Sequence, residues 1–271
     1  MIQDNQKPVF GINPVASTKT DTLPLPYKYT TNIESIFEKL HSGEYQILMR
    51  SRVRTEMRGE GLYRRPFYIH EKSRIHGERR TQTLIRSTRK KIVDALQPRH
   101  RILPWLALNE VFIGEFMAVR PITLYMQVED RKEFMFRSSG ICICTGTGSR
   151  SWFKSMNIKP VDTIRSIAEI GTCKKLTNEE VNNLVFKYHE NLLYPAEDLR
   201  MTYMIREMYR TIRCSNIRLP DREMCNKVTI KSRGFDACLV IDGSLSLPFN
   251  DGSSASFVIK PEYSLRNIIL T

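Results

Sequence analysis

The segment of this sequence best suited to chemistry is Cys144-Thr145-Gly146-Thr147-Gly148-Ser149-Arg150-Ser151-Trp152. It follows an apolar run that reads as a buried strand and precedes a candidate helix. Glycines let a backbone approach a ligand closely, and exposed N–H groups at a helix start favour anions. Thr145, Thr147 and Ser149 offer hydroxyls and Trp152 a flat stacking face. The G-K-[ST] ending of a phosphate-binding P-loop is absent, and no G-x-G-x-x-G opens a βαβ unit here. A turn without a ligand would have the same composition.

Two further constellations carry polar groups into apolar surroundings. In Ala107-Leu108-Asn109-Glu110-Val111-Phe112-Ile113 an amide and a carboxylate interrupt large apolar residues. Buried polar groups are costly unless hydrogen-bonded. The pair therefore bonds either a neighbouring loop or a ligand's ribose hydroxyls or base edge. In Phe235-Asp236-Ala237-Cys238-Leu239-Val240-Ile241-Asp242-Gly243, Asp242 ends an apolar strand. It reads as a hairpin-turn residue or as an acid facing a site.

The elements that must position these groups are mostly strands. Pro8–Asn13 reads as a short buried strand, and Ile33, Ile36, Phe37 and Leu40 recur at helical spacing with Gly43 as the C-cap. From Glu44 to Met57, Tyr45, Ile47, Met49 and Val53 alternate with Arg50, Arg52 and Arg54, which predicts one long strand with a wet, basic face. Residues 63–100 are Arg-rich and without a sustained period, with a helical piece expected near Thr83–Leu96. Strand runs follow at 102–113, 119–128 and 134–144. Helices are expected at about Val161–Ile170 and, after the capping box opened by Thr177, to Asn191. Strands return at 199–206, 226–231, 236–242, 246–249, 255–260 and 263–270. Asp242-Gly243 and Asp251-Gly252 both read as hairpin turns. There is no βαβ rhythm and no internal repeat. The expected fold class is α+β: a predominantly β, strand-rich sandwich with a few packed helices.

Composition bounds the rest. The 271 residues suffice for a core of their own. The net charge is +13, and between Arg50 and Arg101 16 Lys/Arg face 5 Asp/Glu. That excess points to an anionic partner (nucleic acid, a lipid surface or a polyphosphate ligand) or to a solvated basic loop. Tyr63, Phe67 and Tyr68 are almost the only aromatics within it, and no recognised nucleic-acid signature is present. Six cysteines, none in a C-x-x-C pair, read as reduced core residues of an intracellular protein. Zinc-ligand spacing is missing. No stretch reaches the roughly 20 apolar residues of a membrane span, and residues 1–7 resemble neither a secretory signal nor a transit peptide.

Taken together and in this order, the Gly11-Ile12-Asn13 strand, Asn109-Glu110, the Thr145–Ser149 loop with its aromatic at Trp152, and Val240-Ile241-Asp242-Gly243 resemble NAD kinases of the mitochondrial branch. The resemblance covers nearly the whole chain and is weakest at 14–26 and 63–100. It implies a kinase that uses ATP and a divalent metal such as Mg to phosphorylate NAD to NADP, and that forms a homodimer. By match, Asn109 and Glu110 contact NAD, and Thr145, Thr147, Gly148 and Ser149 form the loop around the dinucleotide. Trp152 takes the aromatic position where the wider family often has Tyr, and Asp242 is the acid of the C-terminal Asp-Gly turn. The departures are specific. No Gly-Gly-Asp-Gly, the family's catalytic loop, occurs in these residues, and Ser151 replaces the usual Ala. Residues 1–28 are therefore expected to be a remnant of an N-terminal α/β domain and its connecting loop. Residues 29–271 are expected to be the NAD-binding domain, with a basic insertion at about 63–100. Such a short form or fragment is expected to bind NAD but catalyse weakly or not at all alone, with a mitochondrial location implied by the resemblance and a cytoplasmic one otherwise. The alternatives are a non-catalytic regulatory dimer partner and a basic nucleic-acid-binding module.

Overall fold

The computed structural model describes residues 5–13, 24–26, 28–64, 66–68, 92–116, 120–209 and 220–270. Two short helices come first, α1 (Lys28–Thr31) and α2 (Glu34–Ser42), and α2 ends at Gly43 in the left-handed region at φ 76°. The strands β1 (Gln46–Arg50), β2 (Val53–Arg58), β3 (Phe67–Tyr68), β4 (His100–Ile102), β5 (Glu110–Glu115), β6 (Ile122–Val128), β7 (Phe134–Ser138) and β8 (Gly140–Cys144) follow. Three helices interrupt them: α3 (Trp152–Asn157), α4 (Val161–Thr172) and α5 (Asn178–Glu190). The chain closes with β9 (Met201–Arg206), β10 (Arg222–Cys225), β11 (Lys227–Ser232), β12 (Ala237–Ile241), β13 (Leu245–Pro248), β14 (Ser254–Ile259) and β15 (Leu265–Ile269).

The strands form a seven-stranded sheet in the order β10-β9-β8-β5-β12-β13-β3, a six-stranded sheet β4-β2-β14-β11-β6-β7, and a β1-β15 ribbon. Every strand pair is antiparallel. One apolar core joins the two large sheets. Val53, Met57, Leu124, Met126 and Phe257 of one meet Val111, Ile141, Tyr203 and Leu239 of the other. The α+β, strand-rich expectation holds, because period-two apolar patterning such as the Ile122–Val128 alternation of buried and half-buried residues demands an opposing sheet.

Several local expectations are corrected. The long strand at 44–57 is two strands in different sheets, broken at Ser51-Arg52. Its wet face is also reversed in β1. Ile47 and Met49 are exposed, while Arg50 and Arg52 are 6% and 1% exposed. Burial of the two guanidiniums is compensated by hydrogen bonds, Arg50 Nε to Asn267 Oδ1 at 2.7 Å and Arg52 Nε to the Tyr263 carbonyl at 2.7 Å. The run at 134–144 splits at Ser139, where the chain passes from the six-stranded to the seven-stranded sheet, with Gly140 at φ 146°. The run at 102–113 is β4, an irregular segment, and β5. Asp251-Gly252 connects strands of different sheets and makes no hairpin, whereas Asp242-Gly243 turns β12 into β13 with both residues at positive φ. Pro8–Asn13 forms only isolated bridges, Val9 to Asn267 and Gly11 to Pro24. Cys173 is exposed, unlike the buried Cys142, Cys144 and Cys225. Most of the basic segment at 63–100, including most of the helical piece expected from Thr83, lies outside the described residues, as does Cys214. No helix among the described residues is long and apolar enough to cross a membrane.

Candidate functional site

The site is built where β5 begins beside the end of β8. Glu110 pairs with Cys144 in the ladder, so the Asn109-Glu110 step faces the start of the Thr145–Ser149 loop. The Asn109 carbonyl accepts from the Thr145 N–H at 2.9 Å and from the Thr145 hydroxyl at 3.2 Å, and that hydroxyl also donates to the Leu108 carbonyl at 2.5 Å. Gly148 donates back to Thr145 Oγ1 at 3.1 Å. The loop is pressed against its neighbours so closely that side chains are excluded. A Cβ on Gly148 would lie 2.1 Å from the Asn109 carbonyl oxygen, and one on Gly146 1.8 Å from the Pro195 carbonyl oxygen. The glycines are needed for this close approach to the protein's own backbone.

Asp242 arrives from the β12–β13 turn and caps the irregular segment before β5. Its carboxylate accepts from the N–H groups of Leu108 at 2.9 Å, Asn109 at 2.8 Å and Glu110 at 3.2 Å. Burial pushes its carboxyl up, and these three N–H donors offset part of the shift. The carboxylate is thus engaged in holding the Asn-Glu step in place. Ser149 is likewise committed, its hydroxyl donating to the Gly146 carbonyl at 2.7 Å and accepting from the Tyr194 N–H at 3.4 Å.

Three groups of this neighbourhood are not taken up by the loop or the turn. The Asn109 side chain makes no hydrogen bond among the described residues and is half-buried. Glu110 is 8% exposed, and its Oε2 is buried without a hydrogen-bond partner among them. Burial, and then the Asp242 charge, raise its carboxyl to about 7. Trp152 opens α3, stands 36% exposed, and packs its ring 4.9 Å from that of Phe112 at 51°. An amide, a titratable carboxyl and an aromatic plate around a backbone-lined loop can hold a hydroxylated, aromatic, anionic ligand.

All eight residues singled out in the sequence therefore fall in one neighbourhood, with Thr145 and Gly148 touching Asn109 on either side of Thr147. Sequence reasoning missed three contributors. Tyr194 donates to the Cys144 carbonyl at 2.6 Å. The Pro195-Ala196 backbone lies under Gly146, and the Ala196 carbonyl accepts from Ser51 N–H at 2.8 Å. Arg50 donates to Thr147 Oγ1 at 3.3 Å. The proline and the buried arginine were visible in the sequence, but nothing local ties them to a loop about 50–100 residues away. No group of three or more His, Cys, Asp or Glu side chains among the described residues is placed to hold a metal ion.

Comparison with known proteins covers almost the whole chain. The chain is 32% identical over 276 aligned residues to human "NAD kinase 2, mitochondrial", covering 99% of this chain and 61% of that protein. It is 30% identical to the Xenopus tropicalis protein of the same name, covering 99% of this chain and 67% of the relative. It thus spans three fifths to two thirds of the length of the curated relatives it matches. Among solved structures, the yeast NADH kinase complexed with NADH superposes with a TM-score of 0.55 at 11% identity, covering 94% of this chain and 52% of that one, a likeness of fold. No family model matches the sequence.

Proposed function

This chain belongs to the NAD kinase family, and on that premise we propose that it binds NAD in the crevice between Asn109-Glu110 and the Thr145–Ser149 loop. The observation that carries the reading is that buried Glu110 Oε2 and the neighbouring Asn109 amide have no hydrogen-bond partner among the described residues. A buried polar atom without a partner is costly, and the ribose hydroxyls and base edges of a dinucleotide supply both donors and acceptors. Trp152 offers the stacking face, while Thr145, Gly148, Ser149 and Asp242 shape the loop and its support.

The activity we assign is transfer of the γ-phosphoryl group of ATP to NAD, giving NADP, with a mitochondrial site of action supported by the names of its relatives. Because Gly-Gly-Asp-Gly does not occur in these 271 residues, we propose that they turn over poorly by themselves, since phosphoryl transfer depends on positioning and charge stabilisation. A divalent metal is part of the family's chemistry. Among the described residues no group of three or more His, Cys, Asp or Glu side chains is placed to hold it. Self-association as a homodimer is supported by α4, which buries none of its residues and exposes Ile167 and Ile170 at 66% and 78%.

Isothermal titration with NAD and an ATP-dependent NADP assay on the purified chain test the reading. NAD binding with little turnover is the expected outcome. Absence of NAD binding would refute the site, and turnover at the rate of a relative that carries Gly-Gly-Asp-Gly would refute the dependence on that loop.

A further inference from the structure

Arg50 is the last residue of β1, and its guanidinium lies almost wholly inside the protein at 6% exposure. A long basic side chain buried this deeply needs a purpose for each donor. On one side Nε donates to Asn267 Oδ1 at 2.7 Å. The Asn267 amide has only one orientation that fits, because its Nδ2 donates to the Val9 and Ile268 carbonyls, both at 3.1 Å. Asn267 itself is 1% exposed. Arg50 is therefore held from behind by an acceptor that cannot turn away. On the other side Nη1 donates to Thr147 Oγ1 at 3.3 Å.

The direction of that last bond has a consequence for recognition. A guanidinium has five donors and no acceptor. Thr147 must accept from it, so the hydroxyl proton of Thr147 points elsewhere. Among the described residues no acceptor meets that proton, and Thr147 is 4% exposed at the centre of the loop. Arg150 and Glu197 are the charged neighbours that act on Arg50. We propose that Arg50 is a positioning residue that orients Thr147 as a hydrogen-bond donor, so that the loop selects an acceptor oxygen of the bound dinucleotide at that point. This rests on the dinucleotide site proposed above and adds the polarity of one of its contacts. It also gives β15 and the Val9 bridge a role: Asn267 fixes the arginine, the arginine fixes the threonine, and the threonine meets the ligand.

The test is a double-mutant cycle read by NAD titration of the full chain, with thermal melts as the control for folding. R50M and T147V should each weaken NAD binding roughly tenfold, about the worth of one hydrogen bond to an ordered polar group. The double variant R50M/T147V should bind no more weakly than the worse single variant, because both changes remove the same contact. R50K, which keeps a donor, should recover part of the affinity lost in R50M, a rescue that a general packing defect would not show. If R50M does not fold, R50K, T147V and R50K/T147V supply the same cycle. Independent losses that multiply to about a hundredfold, or R50M and R50K binding as tightly as the wild type, would overturn the inference while leaving the site intact. A wild-type chain that binds no NAD would overturn the site and the inference together.

Discussion

Glu110 sits where a carboxylate is least comfortable, at 8% exposure and with Asp242 as its charged neighbour. Burial first, and Asp242 second, lift its carboxyl to about 7 from the 4.5 of an unperturbed glutamate. Between those two pH values the folded chain holds a proton that the unfolded chain has released. Folding stability therefore falls as pH rises through this window and levels off above it, by at most ~3 kcal/mol. Asp242 is shifted in the same direction, by burial, with its three N–H donors opposing the shift. Urea midpoints at pH 5 and pH 8 should show the wild-type chain losing stability across the interval and Glu110→Gln losing distinctly less. Equal slopes in the two proteins would mean that Glu110 is solvated or paired in a way the geometry does not contain. Strongly shifted groups cluster at functional sites, which supports the proposed place of Glu110 in a ligand site.

The helices and strands show which signals in a sequence are local enough to read. α5 begins as the capping box predicts: Thr177 Oγ1 accepts from the Glu180 N–H at 3.3 Å, and the Glu180 carboxylate accepts in turn from the Thr177 N–H at 2.8 Å. Thr177→Ala should cost about 1 kcal/mol, read as a lower thermal midpoint with an unchanged fold by circular dichroism. No change would place the helix start under tertiary control. The capping box, the Gly43 cap and the Asp242-Gly243 turn are legible because each is fixed by residues within four positions of one another. The Thr145–Ser149 loop and Asn109-Glu110 were legible as polar islands in apolar strands. What was not legible depended on distant partners. Arg50 and Arg52 read as a wet face because alternation cannot reveal that Asn267 and the Tyr263 carbonyl wait inside. The break at Ser51-Arg52 is invisible for the same reason, since the Ser51 N–H leaves the strand ladder for the distant Ala196 carbonyl. The role of Asp242 as a clamp on three N–H groups likewise appears only once β5 and β12 are paired.

At the scale of the whole molecule the apolar interior is divided. The large core lies between the two main sheets, and a smaller one gathers Leu25, Tyr29, Ile36, Ile268 and Leu270 where α1 and α2 lie against β15. The candidate site is bounded by the large core, through β5 and β8, but its Arg50–Asn267 support comes from the β1–β15 ribbon that the small core stabilises. Few apolar contacts hold the small unit, so it should open at lower free energy than the sheets. Ile36, fully buried in α2, is the residue to remove. Ile36→Ala should cost about 2–5 kcal/mol of local stability. In hydrogen exchange, the amides of α2, β1 and β15 should lose protection while those of β5, β8 and β12 keep theirs. Loosening of β15 should also release Asn267, so the same variant should bind NAD more weakly although Ile36 lies in a separate cluster from the loop. Uniform loss of protection across both cores would show instead that the ribbon and the sheets unfold as one unit, and that the support of Thr147 cannot be loosened apart from the fold that carries it.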